Sequence, residues 1–106
     1  MSQTADDVHF DDIVARQSGT VLVDFWAPWC KPCAAMTPIL EEAELAANGT
    51  FTLLKVNVDE CEQLAERFSV KSLPTLVLLA KDGRQFRRVG AASRQNIEQW
   101  IDTSLG

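Results

Sequence analysis

Apolar and polar positions along the chain fall into blocks of different period. Val21 to Phe25 is apolar except for Asp24 and reads as a buried central strand of parallel type. From about Cys33 to Ala47 the residues Met36, Ile39, Leu40, Ala43 and Ala47 recur at helical spacing, and Asn48-Gly49 ends the run. Pro38 inside this helix is expected to kink it. Phe51 to Val58 is the next strand, with Lys55 as its odd member. Glu60 to Phe68 is a short helix with Leu64, Ala65 and Phe68 inward. Leu76 to Ala80 is a strand, and Lys81-Asp82-Gly83 makes a tight turn that returns Arg84 to Val89 antiparallel to it. Ser93 caps a last helix that buries Ile97, Trp100 and Ile101. At the other end, Asp6 or Asp7 caps a helix running to about Gln17, with Val8, Ile13 and Val14 apolar and His9 at the surface. The pattern predicts an α/β architecture: a central mixed sheet of four or five strands with helices on both faces.

Length and charge narrow the classes. A chain of 106 residues fits one domain over 1–106 with one core. Hydrophobic content of 46% and charged content of 24% fit a globular rather than a disordered chain. A net charge of −5 argues against nucleic-acid binding as the main role. No run is long enough to span a bilayer, and the first residues carry neither a basic nor an apolar leader segment. A cytoplasmic protein is expected, with its cysteines kept reduced between turnovers.

The candidate chemistry lies in Phe25-Trp-Ala-Pro-Trp-Cys-Lys-Pro-Cys33, where a Cys-x-x-Cys pair follows a strand and opens a helix. With Cys30 at the helix mouth, unpaired N–H groups and the positive dipole end favour a thiolate there. Lys31 adds a positive charge, and Pro32 suits a first turn because its missing N–H would have no partner. The two sulfurs are close enough to cycle between dithiol and disulfide. A zinc site would need about four ligands, and only Cys61 and His9 remain, neither at finger spacing. Haem attachment would need a histidine where Ala34 stands. A purely structural disulfide closing so short a loop adds little. No Gly-x-Gly-x-x-Gly occurs, so no dinucleotide site is predicted; neither a cofactor nor a metal is expected. Trp26 and Trp29 bracket the motif and suggest an apolar rim for a partner.

Other residues carry two readings each. Asp24 is either at an exposed strand end or a buried carboxylate whose pKa is raised. Lys55 either snorkels to solvent or sits beside Asp24 across parallel strands. Pro74 either starts its strand or shapes a binding edge. Gly90 breaks the last strand near the site, where a missing side chain could let a partner approach. Cys61, in the first turn of its helix, reads as a passive, half-exposed thiol, with regulation by oxidation as the sharper alternative. Met36 reads as core filler.

The Trp-Cys-Lys-Pro-Cys stretch resembles the active site of the thioredoxin family. The resemblance runs along nearly the whole chain: Val23-Asp-Phe-Trp-Ala27, Pro38, Lys55-Val-Asn-Val-Asp59, Leu73-Pro-Thr75, Lys81-Asp-Gly83 and Val89-Gly90. Lys31 stands in place of the family's usual glycine, and the N-terminal strand is reduced to Ser2-Gln-Thr-Ala5. The resemblance implies a thioredoxin fold and a protein-disulfide reductase. Cys30 is then the nucleophile, Cys33 the resolving thiol, Asp24 its proton acceptor, and Lys55 the cation that tunes Asp24. Trp26 packs under the site. Trp29, Leu73, a cis Pro74 and Gly90 form the client-binding edge, with the Leu73 backbone pairing to an extended segment. The implied partners are an NADPH-dependent thioredoxin reductase and disulfide-bearing client proteins, and the chain is expected to be a monomer. The rival readings are a disulfide oxidase or isomerase of the same fold and a non-catalytic binding subunit. A cation beside Cys30 favours the thiolate and hence the reduced state. Lys31→Gly is therefore expected to lower the reduction potential, measured by equilibration against glutathione; an unchanged or higher potential counts against this role.

Overall fold

The computed structural model of the chain describes residues 3–106. In order, the elements are β1 (Gln3–Thr4), α1 (Phe10–Arg16), β2 (Thr20–Trp26), α2 (Lys31–Ala47), β3 (Phe51–Asn57), α3 (Glu62–Arg67), β4 (Thr75–Leu79), β5 (Gln85–Val89) and α4 (Arg94–Leu105). The sheet order is β1-β3-β2-β4-β5. β2 runs parallel to β3 and antiparallel to β4, so the sheet is mixed as the pattern predicts. The fifth strand exists; among the described residues it spans Gln3–Thr4 and pairs Gln3 with Leu54 and Thr4 with Lys55. Ser2, the first residue of the expected segment, lies outside the described residues.

Alternation along β2 divides the core. Val21, Val23 and Phe25 pack with Phe10, Leu64 and Phe68 on the face covered by α1 and α3. Leu22 packs with Met36, Leu40, Ile97 and Ile101 on the face covered by α2 and α4. A strand apolar on both faces needs helices on both, which is why the central strand reads as a continuous apolar run. α2 continues through Pro38 and stops at Asn48, whose φ of 50° is left-handed. Met36 is more than filler: its sulfur accepts the Ala92 N–H at 3.4 Å and ties α2 to the segment after β5. Trp100 is half-buried and packs at the border of the core, where full burial is predicted from spacing.

The N-terminal region departs from its expected pattern. α1 begins at Phe10, so Val8 is 82% exposed and outside the helix, and Phe10 is the buried anchor instead. Asp6 accepts the N–H groups of Val8 and His9 and shapes the turn into α1. His9 is exposed, with its Nδ1 2.9 Å from Asp6 Oδ1. Asp7 serves a different helix: its carboxylate accepts the N–H groups of Gln63 and Leu64 at the start of α3. Cys61 is the N-cap of α3, so this helix starts later than its apolar spacing suggests.

Among the described residues, β1 pairs with Leu54 and Lys55 of β3. The N–H of Leu53, next to that pairing, is taken by the Glu44 carboxylate of α2 at 2.7 Å. An unpaired strand N–H is a template for pairing with other chains, and a charged acceptor blocks it. Glu44→Ala is expected to lower stability by about 1.5–3 kcal/mol in urea unfolding, the typical worth of a hydrogen bond to a charged group. A loss below about 0.5 kcal/mol, the low end for any hydrogen bond, would show that water replaces the carboxylate at no cost.

Candidate active site

The carboxyl end of β2 delivers the chain into a turn at Ala27 to Trp29, and the Cys30 N–H closes that turn on the Ala27 carbonyl at 3.1 Å. Cys30 is the N-cap of α2, and its sulfur accepts the Cys33 N–H at 3.2 Å. The helix thus begins two residues earlier than its apolar spacing indicates, at Lys31. Lys31 and Pro32 occupy its first two positions and are exposed. Cys30 and Cys33 are joined as a disulfide, with Cα atoms 5.3 Å apart. Cys33 is 1% exposed and Cys30 5%, so access to the sulfurs is through the Cys30 side. The bonded pair spends one orphan N–H of the helix on a sulfur, the arrangement that favours charge on Cys30 after reduction.

Three loops converge on this pair. Leu73 packs with Trp26 and Val58 against Ala27, Cys30 and Cys33. The Leu73–Pro74 peptide is cis, and Pro74 is buried. The Pro74 carbonyl accepts the Gly90 N–H at 2.9 Å, which brings the end of β5 to the same rim. Gly90 has φ +95°, while a Cβ there would meet nothing within 4 Å. The backbone conformation, rather than lack of room, therefore calls for glycine. Trp29 is 67% exposed, and its indole N–H donates to both Asp59 oxygens at 3.1 and 3.2 Å. The sequence pattern gives Asp59 no role, because the contact spans 30 positions.

Asp24 lies two residues from both Leu22 and Trp26 along β2 and so shares the face of the sheet that α2 covers. It is fully buried, and neither carboxylate oxygen has a hydrogen-bond partner. Burial pushes its pKa up to about 6, and the Lys55 charge offsets only part of that effect. Lys55 is the register partner of Asp24 across β2 and β3. Its ammonium nevertheless hydrogen-bonds Thr37 Oγ1 at 3.2 Å and lies 4.6 Å from the Trp26 ring centre.

Cys61 differs from its expected half-exposed state. It is 2% exposed, with its sulfur 3.5 Å from the Ala5 carbonyl. Burial, then the carboxylates of Asp7, Asp6 and Glu60, hold its thiol above the ordinary range, outweighing any help from the helix end. Among the described residues, no three His, Cys, Asp or Glu side chains gather as a metal site.

A mixed α/β sheet with a bonded Cys-x-x-Cys pair at a helix mouth defines a dithiol–disulfide oxidoreductase, whose redox group is the cysteine pair itself. The Thioredoxin family model matches residues 1–103. The chain is 42% identical over 100 residues to a thioredoxin of Staphylococcus saprophyticus, covering 93% of each chain. It is 31% identical over 105 residues to one of Rickettsia bellii, covering 99% of this chain and 100% of that one. A crystal structure of chloroplastic thioredoxin z superposes with a TM-score of 0.89 at 26% identity, covering 99% and 96% of the two chains. The chain belongs to the thioredoxin family, and it is a protein-disulfide reductase. Proteins of this family draw electrons from a reductase and pass them to disulfide-bearing clients.

Asp24 has a thermodynamic cost whose sign is fixed. Between its ordinary value of 3.8 and about 6, the folded chain holds a proton that the unfolded chain releases. Stability therefore falls as pH rises through that window, and the full cost is present above it. Asp24→Asn removes the titration. In the oxidised protein, its stability relative to the parent is expected to improve by about 3 kcal/mol between about pH 3 and about pH 8, read from urea unfolding. A stability difference that is flat with pH would contradict the raised pKa.

Proposed function

We propose that the chain reduces client disulfides with Cys30 as nucleophile, Cys33 as resolving thiol and Asp24 as proton acceptor. The observation that supports this most is the bonded pair at the N-terminus of a 17-residue helix with Leu73 packed against it. Starting from the dithiol, the Cys30 thiolate attacks one sulfur of a client disulfide. The client S–S bond breaks, one client thiolate leaves, and a Cys30–client mixed disulfide forms. Cys33 passes its proton to Asp24 and attacks the Cys30 sulfur. The second client thiolate leaves: the client has gained two electrons, and the chain has lost them and is left oxidised, with a Cys30–Cys33 bond. A carboxylate with a pKa of about 6 is ionised at neutral pH yet basic enough to take a thiol proton, which fits it for that step.

Lys55 tunes Asp24 from β3, while Lys31 and Pro32 set the charge and conformation of the first turn. Trp29, Leu73, Pro74 and Gly90 form the edge on which an extended client segment lies. Leu73 offers main-chain hydrogen bonds there, and exposed Trp29 offers apolar area. An NADPH-dependent reductase restores the dithiol. The chain works as a single domain over 1–106, as a monomer in the cytoplasm. No described helix is long and apolar enough to cross a membrane.

Substitution of each thiol separates the roles. Cys33→Ser is expected to accumulate a covalent adduct with a disulfide client, seen by mass spectrometry under non-reducing conditions and released by dithiothreitol. Cys30→Ser is expected to form none and to lose insulin-disulfide reduction altogether. An adduct through Cys33 in the Cys30→Ser protein would reverse the assignment. A potential of about −270 mV, the value of thioredoxin reference proteins, fits a reductant; one above about −180 mV, the value of protein disulfide isomerase, would favour an isomerase.

A further inference from the structure

Lys55 and Asp24 are register partners on adjacent strands, yet they do not hydrogen-bond. The ammonium is held elsewhere, by two groups. One is the face of Trp26, at 4.6 Å, from β2. The other is the hydroxyl of Thr37, at 3.2 Å, from α2. Thr37 lies one helical turn after Cys33, and its hydroxyl donates to the Cys33 carbonyl at 3.3 Å. A threonine hydroxyl bonding back one turn is common and would by itself be unremarked packing. Here the same oxygen also receives the ammonium. Its single hydrogen goes to Cys33, and its lone pair goes to Lys55.

We infer that Thr37 is a positioning residue, whose hydroxyl holds the Lys55 ammonium at the Trp26 face and off the Asp24 carboxylate while linking it to the main chain of Cys33. This rests on the reading of Asp24 and Lys55 as the proton-handling pair. The groups around them are few. In register, Asp24 lies beside Lys55 of β3 and apolar Leu76 of β4, and on that face of the sheet α2 and α4 supply the apolar side chains of Met36, Leu40, Ile97 and Ile101. Lys55, with Trp26, also lines a cavity of about 430 Å³ bordered by Asp6, Asn57, Glu60 and Cys61. Without the Thr37 hydroxyl, the ammonium loses the hydrogen-bond acceptor it has among the described residues. The partner nearest in register is then the unpaired carboxylate of Asp24. Pairing would make that carboxylate a weaker base, so the hydroxyl preserves the strength of the base that serves Cys33.

The test is a carboxyl carbon-13 NMR titration of Asp24 in the oxidised, full-length protein. Thr37→Val keeps shape and removes the hydroxyl, and it is expected to lower the Asp24 midpoint by about one pH unit. Thr37→Ser is expected to restore the parent midpoint. In a Lys55→Met background, Thr37→Val is expected to cause no further shift, a result a purely structural role would not give. Thr37→Ala, read the same way, serves as the second variant should the valine disturb the amide spectrum. An unchanged or raised midpoint in Thr37→Val, as when the ammonium moves to Asp6 or Glu60 instead, overturns the inference. So does a shift that persists without Lys55. The pH profile of client reduction is measured alongside. If the NMR midpoint moves as expected and the rate profile does not, Thr37 positions Lys55 but Asp24 is not the proton acceptor.

Discussion

The seven-residue parallel pairing of β2 with β3 is the interaction on which the molecule depends. It places Asp24 beside Lys55 and ends both strands together, at Trp26 and Asn57. The loops that follow the two ends are then neighbours. From the first comes the cysteine pair; from the second come Val58, packed against that pair, and Asp59, which receives the indole of Trp29. A slip of one residue along this ladder would turn Asp24 to the α1 and α3 face and leave α2 without its partner positions. Catalytic geometry and strand register are the same fact here, stated at two scales.

That ladder also carries the molecule's main internal conflict. A central strand buried on both faces is the costliest place for a carboxylate. β2 accepts one, with no hydrogen bond to offset desolvation and only a displaced cation nearby. The rest of the core is conventional: Leu22, Leu53, Leu76 and Leu78 are fully buried around it. Apolar burial of that extent, at roughly 25 cal/mol per Å², is large enough to carry a defect of a few kcal/mol. The defect lies on the strand that leads into the cysteine pair, in keeping with the tendency of perturbed pKa values to gather at functional sites.

The parts of this structure legible in the sequence are those with local causes. The apolar run of β2, the helical spacing of α2 and the Asn48-Gly49 stop each act within a few residues, and these elements are found within two residues of where their patterns set them. The cysteine pair is legible for the same reason, since its chemistry needs only a helix mouth and two side chains one turn apart. What escapes the sequence depends on distant encounters. Asp7 looks like a cap for the helix that follows it and instead caps one far along the chain. Cys61 looks half-exposed until Ala5 covers it. Thr37 looks like an ordinary helix threonine until β3 brings Lys55 underneath. Val8 fits a helical spacing, but Asp6 captures the backbone of Val8 and His9 in a turn, and the helix starts late.

The Asp7 cap bears on the order in which the chain assembles. α3 has six residues, too few to persist alone in water. Its first N–H groups are satisfied by a side chain 56 positions earlier, so its local sequence does not complete it. Two parts of the chain must have met before this helix is whole. The closure entropy of that long loop is then met while the sheet between them forms. α3 is in this sense a late element: a short helix whose existence records that the amino-terminal segment has already docked.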